Sequence, residues 1–213
     1  MAASSDARLT ELESFLKGHP TIQYATPNSP NYPALRATYS LNNPAVPLAI
    51  VRPQNAEDVA IIIKFARATG VKPVVRSGGN SLFGKSMVQD ALIIDMRDIS
   101  YVNIDDSKAS ASVGGGILMG DLVEQLTKDG LATAVGTIPF VGLVGWSSYG
   151  GYGPFSAQYG LGCDNIIGAK VVNWKGEIVD ADKDMLKGIR GAGGAFGPIV
   201  ELTVKLYPLK NVS

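Results

Sequence analysis

The chain of 213 residues has one cysteine and one histidine. With Cys163 alone no internal disulfide can form, and His19 alone argues against a histidine metal centre or an imidazole-based catalytic triad. Charge of one sign is missing as well. Nineteen basic residues balance nineteen acidic ones, with no dense run of either, which argues against nucleic acid or an anionic membrane as partner. No apolar run approaches the ~20 residues that span a bilayer. Residues 1–17 are polar and lack the apolar stretch of a signal peptide. The expectation is a cytoplasmic protein with a small-molecule substrate, no nucleic-acid or membrane partner and no metal.

What the chain has in excess is glycine, 25 residues, most of them in clusters. The first cluster follows Val74-Val75, where a strand ends, and reads Arg76-Ser77-Gly78-Gly79-Asn80-Ser81. Adjacent glycines let the backbone approach a ligand too closely for a Cβ. Successive amides, two serine hydroxyls and a nearby arginine would then form a nest for phosphate or pyrophosphate. A plain tight turn accounts for the same residues.

Around this stretch the chain alternates strand and helix. Ser5 or Asp6 would cap a helix burying Leu9, Leu12, Phe15 and Leu16, closed by Gly18. Residues 26–47, rich in Pro, Asn and Ser, suggest an extended arm. Residues 46–51 form a strand, Asn55 caps a helix ending at Gly70, and residues 72–76 and 91–96 form two more strands. That spacing predicts parallel βαβ pairing. Later, 107–113 alternates as a half-exposed strand and 119–128 is helical. A hairpin turns at Trp174-Lys175-Gly176, a short helix lies near 185–189, and 199–206 closes the fold as a strand. The division is an N-terminal helix and arm over 1–45, a first lobe over 46–106 and a second over 107–210.

Glycine-dense segments at 77–84, 142–153 and 191–197 together suggest a long ligand approached by several backbones, as a dinucleotide requires. The nicotinamide fingerprint Gly-x-Gly-x-x-Gly does not fit the first segment. Gly114-Gly115-Gly116 before a helix comes nearer but lacks the following acidic residue.

These motifs, in order Arg76-Ser77-Gly78-Gly79-x-Ser81, then Val141-Gly142-x-x-Gly145 through Gly150-Gly151-Tyr152-Gly153 to Tyr159-Gly160-Leu161-x-x-Asp164-Asn165, then Ile189-Arg190-Gly191-x-Gly193-Gly194-x-Phe196-Gly197, resemble the FAD-binding domain of the vanillyl-alcohol oxidase / p-cresol methylhydroxylase superfamily. The resemblance is to its berberine-bridge-enzyme-like branch, fungal members above all, and covers about 40–209. It implies an α+β fold: a two-lobed PCMH-type domain with a small parallel βαβ lobe and a larger, mainly antiparallel α/β lobe, FAD lying between. It implies a pyrophosphate site at Arg76, Ser77, Gly78, Gly79, Asn80 and Ser81. Thr137, Val141, Gly142, Gly145, Trp146, Gly150, Gly151 and Gly153 would line the ribityl chain and isoalloxazine. Asp164, Asn165 and Ile166 together with Gly197 and Ile199 would hold the adenylate half.

The departures narrow the expectation. Many relatives carry a histidine bonded to the flavin where Asn80 stands, and those with a second, cysteinyl bond place it where Ile138 stands; neither residue here can make that bond, and the histidine frequent near the flavin at the position of Trp146 is absent. Non-covalent FAD follows, with Asn80 as a turn residue tolerating positive φ. Val141 occupies the position that governs oxygen access in the branch, where valine goes with oxidase behaviour; a packed core valine is the alternative. Cys163 reads as a small buried hydrophobe. Tyr149, Tyr152 and Tyr159 read as fillers of space left by glycine, and Trp174 as an exposed cap or a partner contact. No catalytic acid or base can be assigned.

Relatives continue for about as many residues again, through a substrate domain, whereas this sequence ends at Ser213. A truncated chain or isolated domain is the simplest expectation, with a natural short chain that pairs with a partner as the other. An uncovered flavin face would favour self-association or a partner chain. Two functions follow: an FAD-linked oxidase of an alcohol, amine or activated carbon, reoxidised by oxygen, or a flavin-binding module without turnover, such as a pseudoenzyme, a subunit or a scaffold for non-redox cyclisation.

Overall fold

Two sheets of opposite character divide the chain in the computed structural model, which describes residues 5–209. In the first lobe, α1 (Ser5–Lys17) buries Leu12 and Leu16, with Leu9 and Phe15 against the same core. β1 (Gln23–Ala25) and α2 (Tyr32–Arg36) come next, then β2 (Ala49–Arg52), α3 (Ala56–Thr69), β3 (Pro73–Arg76) and β4 (Leu92–Asp95). The strands order β1-β2-β4-β3; β2, β4 and β3 run parallel and β1 antiparallel. α3 is well specified. Asn55 accepts a hydrogen bond from the Asp58 amide at 2.8 Å, Val59, Ile62, Ile63 and Ala66 are buried, and Gly70 ends the helix at φ +71°.

Within residues 26–47, read from the sequence as an extended arm, the structure has one short helix, and the rest is irregular. α2 lies within them and β1 just before, with Ala25 and Tyr32 in a core cluster beside Ile50, Met87 and Ile93. Elements of three and five residues are too short to show a hydrophobic period, and tertiary packing decides them.

The second lobe comprises β5 (Val102–Ile104), β6 (Ser110–Gly114), α4 (Met119–Lys128), β7 (Leu131–Ala132), α5 (Leu143–Ser147), α6 (Ser156–Tyr159), β8 (Ile166–Val172), β9 (Ile178–Asp180), α7 (Lys183–Ala192), β10 (Ile199–Lys205) and β11 (Tyr207–Pro208). Five strands form an antiparallel sheet in the order β5-β6-β10-β8-β9, while β11 pairs with β7. One face packs Val113, Leu202 and Val204 against Leu122 and Leu126 of α4 and Ile189 of α7. The other sends Val172 and Val200 into the first-lobe core beside Val59, Ile62 and Ile63 of α3. The lobes therefore share an apolar seam.

The chain changes sheets between Asp98 and Val102, ahead of the expected division at residue 106, because β5 hydrogen-bonds to β6. Gly114-Gly115-Gly116 forms the joint. A Cβ on any of them would strike backbone, at Ile99, at Ile199 and Val200, or at Met96. Their smallness serves the lobes' own approach, so the nicotinamide reading of this stretch falls away. Among the described residues no helix is long and apolar enough to cross a membrane.

Candidate functional site

The parallel strands end on one edge, where open α/β sheets place their ligands. Arg76 closes β3 in register with Asp95 at the end of β4. Asp95 is fully buried and is held by Arg97, whose Nε and Nη2 donate at 2.9 and 2.6 Å. The carboxylate keeps the Arg97 pKa above its usual value.

Arg76 is 3 % exposed, and its guanidinium donates to the carbonyls of Leu35 and Ala37 and stands 4.0 Å from Asp95. Burial lowers its pKa to about 10, with Asp95 opposing. Sequence reading placed Arg76 beside a phosphate. The structure aims it at the N-terminal arm beneath the loop instead, a task hidden from the sequence because the arm has no pattern of its own.

The loop that follows carries the clearest ligand signal. Ser77 Oγ is buried without a hydrogen-bond partner, an arrangement that costs about 1–3 kcal/mol unless something supplies the missing bond. Among the described residues no protein acceptor takes the amides of Gly78, Gly79 or Asn80. Gly79 supplies the left-handed conformation at φ +73°; Asn80, expected to tolerate positive φ, does not adopt it. Its amide instead reaches across to the second lobe and donates from Nδ2 to the Phe140 carbonyl at 2.9 Å.

The two lobes' loops touch here. A Cβ on Gly78 would lie 2.6 Å from Asn80 Nδ2, 2.7 Å from the Gly142 nitrogen and against the Phe140 carbonyl oxygen. A Cβ on Gly142 would overlap the Ser77 hydroxyl and lie 3.0 Å from the Gly78 nitrogen. The arm joins through Tyr39, whose amide donates to the Gly79 carbonyl at 3.1 Å and whose ring stacks on Phe140 at 6.3 Å. Tyr39 and Phe140 carried no signal in the sequence, since an aromatic in an irregular stretch has no period to betray it.

Beyond this contact, Thr137, Ile138 and Phe140 are exposed. Val141 is half-buried at the edge of the second core, and its carbonyl accepts from Met119 N at 2.9 Å. Gly145 and Gly150 face open space, with nothing within 4 Å of the point where a Cβ would stand. The rest of the cluster serves Trp146. Its ring lies against Gly136, Gly151 and Gly162, and its Nε1 donates to the Tyr152 carbonyl at 3.3 Å. Gly153 is pressed on the Val135 carbonyl. Tyr149 covers Gly193, matching its expected role as a filler, while Tyr159 stacks on Tyr207 at 3.9 Å and Tyr152 is 82 % exposed.

The expected adenylate set is divided. Ile166 pairs with Val204 and Ile199 with Val171, so the two stretches sit at opposite ends of the β8–β10 ladder, about 17 Å apart at the rise of a strand.

Asn165 and Ile166 are committed to the protein's own fabric. Asn165 Nδ2 donates to the Tyr159 and Leu161 carbonyls, its Oδ1 accepts from Tyr207, and the Ile166 carbonyl accepts from Arg190. Asp164 accepts from Leu161 N at 2.9 Å. Gly197, at φ +134°, is pressed on the Val172 carbonyl, and buried Ile199 lies beside Gly115 at the joint. Cys163 is half-buried, short of the full burial expected. Trp174 is 55 % exposed at the hairpin tip.

A pyrophosphate-bearing dinucleotide fits what remains. Ser77 Oγ and the amides of Gly78 to Asn80 would hold the anion, and the clear space before Gly145 and Gly150 leaves their backbone accessible to an extended ligand. Bound FAD supplies the acceptor for two electrons, which the polypeptide itself lacks.

Comparison with known proteins agrees. The pattern of a family described as FAD binding domain matches residues 47–182. The FAD-linked oxidoreductase aurO of Gibberella zeae is 40 % identical over 195 residues, 91 % of this chain and 38 % of its own length. The (R)-6-hydroxynicotine oxidase of Paenarthrobacter nicotinovorans is 36 % identical over 76 % of this chain and 36 % of its own. Among solved structures, 6-hydroxy-D-nicotine oxidase from Arthrobacter nicotinovorans superposes with TM-score 0.84 at 33 % identity, covering 87 % of this chain and 42 % of that one. The berberine-bridge-enzyme-like protein 1 of Physcomitrella patens gives 0.87 at 28 %, covering 92 % and 44 %. The chain thus spans less than half the length of each of these proteins.

Proposed function

The chain belongs to the FAD-binding domain family of the FAD-linked oxidoreductases, and we propose that it holds FAD non-covalently in the cleft between its lobes, as the flavin-bearing part of an oxidase. The observation that carries the reading is the buried, unpartnered Ser77 hydroxyl beneath amides that no protein carbonyl takes. Non-covalent attachment rests on chemistry: Asn80 and Ile138 offer no nucleophile to the ring, and Asn80 is engaged with Phe140.

Each residue then has a task. Ser77 and the following amides bind the pyrophosphate; Gly142 and Gly78 let the loops close; Gly145 and Gly150 leave room along the ligand; Val141 sets the space open to oxygen. Gly197 and Ile199 shape the end of the cleft at the joint. The substrate we propose is a small molecule oxidised at an alcohol, an amine or an activated carbon; two proteins similar to this chain are named as oxidases of 6-hydroxynicotine, a small molecule.

The cleft mouth carries exposed Tyr39, Leu82, Phe83 and Phe140, and we propose it as a face for a second copy or a partner chain, to be tested by sedimentation with and without FAD. For the function itself, the purified chain is titrated with FAD, photoreduced and exposed to air. Uptake of flavin with rapid return of the oxidised spectrum supports an oxidase. Uptake with a reduced spectrum that persists in air points to a binding module instead.

A further inference from the structure

We propose that Asn80 is a positioning residue: a side-chain latch that joins the 77–81 loop of the first lobe to the 138–142 loop of the second and sets the cleft's width before FAD arrives. The inference rests on the cofactor reading above for its purpose, but its geometry is independent of any ligand. Asn80 Nδ2 donates to the Phe140 carbonyl at 2.9 Å across sixty residues of sequence. The contact is possible only because both loops lack side chains where they meet. A Cβ on Gly78 would sit 2.6 Å from that same Nδ2, and a Cβ on Gly142 would overlap Ser77.

On the far side of Phe140 the arm supports the same loop. Tyr39 stacks on the Phe140 ring and donates its amide to Gly79, while Arg76 grips the arm at Ala37. The 77–81 loop is thus braced by backbone and ion pairs within its own lobe. The 138–142 loop is held to its own lobe where the Met119 and Gly120 amides donate to the Val141 and Pro139 carbonyls at 2.9 and 2.8 Å; it is exposed over residues 137–140 and reaches the 77–81 loop by the Asn80 bond together with that ring stack. Residue 80 carries a donor, and the carbonyl facing it needs one. An acceptor there would repel.

The test is hydrogen exchange on the ligand-free chain, read at the amides of residues 138–145, alongside FAD affinity by fluorescence titration. Asn80→Ala removes the bond, and Asn80→Asp keeps the shape while replacing the donor by an acceptor.

Both variants should speed exchange at 138–145 about fivefold, the effect of one net hydrogen bond, with exchange in β2, β4 and β10 unchanged. Both should also weaken FAD by a similar factor or more. Wild-type exchange at 138–145 in both variants would overturn the latch. So would faster exchange throughout the chain, which marks general destabilisation. A variant that loosens 138–145 in a chain that takes up no FAD keeps the latch and removes the cofactor reading, so the two fail separately.

Discussion

Gly142 stands so close to Ser77 that a methyl group on its Cα would overlap the serine hydroxyl. One loop belongs to the parallel lobe and the other to the antiparallel lobe, and they touch because neither carries bulk at this contact. Gly142→Ala should therefore destabilise the fold by about 1–3 kcal/mol, as overpacking does, and should weaken FAD as the loops part. Urea denaturation and a flavin titration on the same preparation check both.

Ser77→Ala separates binding from folding. Its hydroxyl is buried with no partner, so its removal should raise the ligand-free stability by about 1–3 kcal/mol. The same change should weaken FAD on the order of tenfold, or about 1.4 kcal/mol. Opposite signs in thermal melting and in FAD affinity are the expected result. A parallel loss in both would mean the hydroxyl serves the fold.

Gly145→Ala probes the open side. Nothing lies within 4 Å of the added methyl, and the residue sits inside α5, where alanine is favoured over glycine by about 1 kcal/mol. The melting temperature should hold or rise while FAD affinity falls at least severalfold. Unchanged affinity would place the ligand elsewhere.

Arg97→Ala addresses the edge beneath the loop. Asp95 is fully buried and takes its side-chain hydrogen bonds from the Arg97 guanidinium, so the variant leaves the carboxylate with the residue-97 amide at 3.3 Å and Arg76 at 4.0 Å. Breaking a buried pair costs about 3–5 kcal/mol. Because Arg97 is 29 % exposed, screening reduces this to about 2 kcal/mol, measurable as a shift in the urea midpoint with little change in slope.

Much of this was legible from the sequence where local chemistry is self-sufficient. Asn55, the apolar face of α3 and Gly70 each state their part, and α4 begins and ends where its residues imply. Glycine clusters were legible as close approaches but not as to what approaches. Gly114 to Gly116 meet backbone of the other elements at the joint, Gly151 and Gly162 meet Trp146, and only Gly145 and Gly150 of the middle cluster face open space. That Ile166 and Ile199 stand toward opposite ends of the β8–β10 ladder was not legible, because register on an antiparallel ladder is set by pairing between strands far apart in sequence. Asn80 showed what it could not bond to; that it crosses to Phe140 depends on a loop sixty residues away.

The central claim, FAD held in this cleft without a covalent bond, is tested most directly by loading the purified chain with FAD, removing excess, and precipitating the protein with acid. The account predicts flavin bound in equimolar amount before precipitation and recovered entirely in the supernatant afterwards. Flavin pelleting with the protein would contradict the non-covalent reading, and a chain that retains no flavin after loading would contradict the cleft itself.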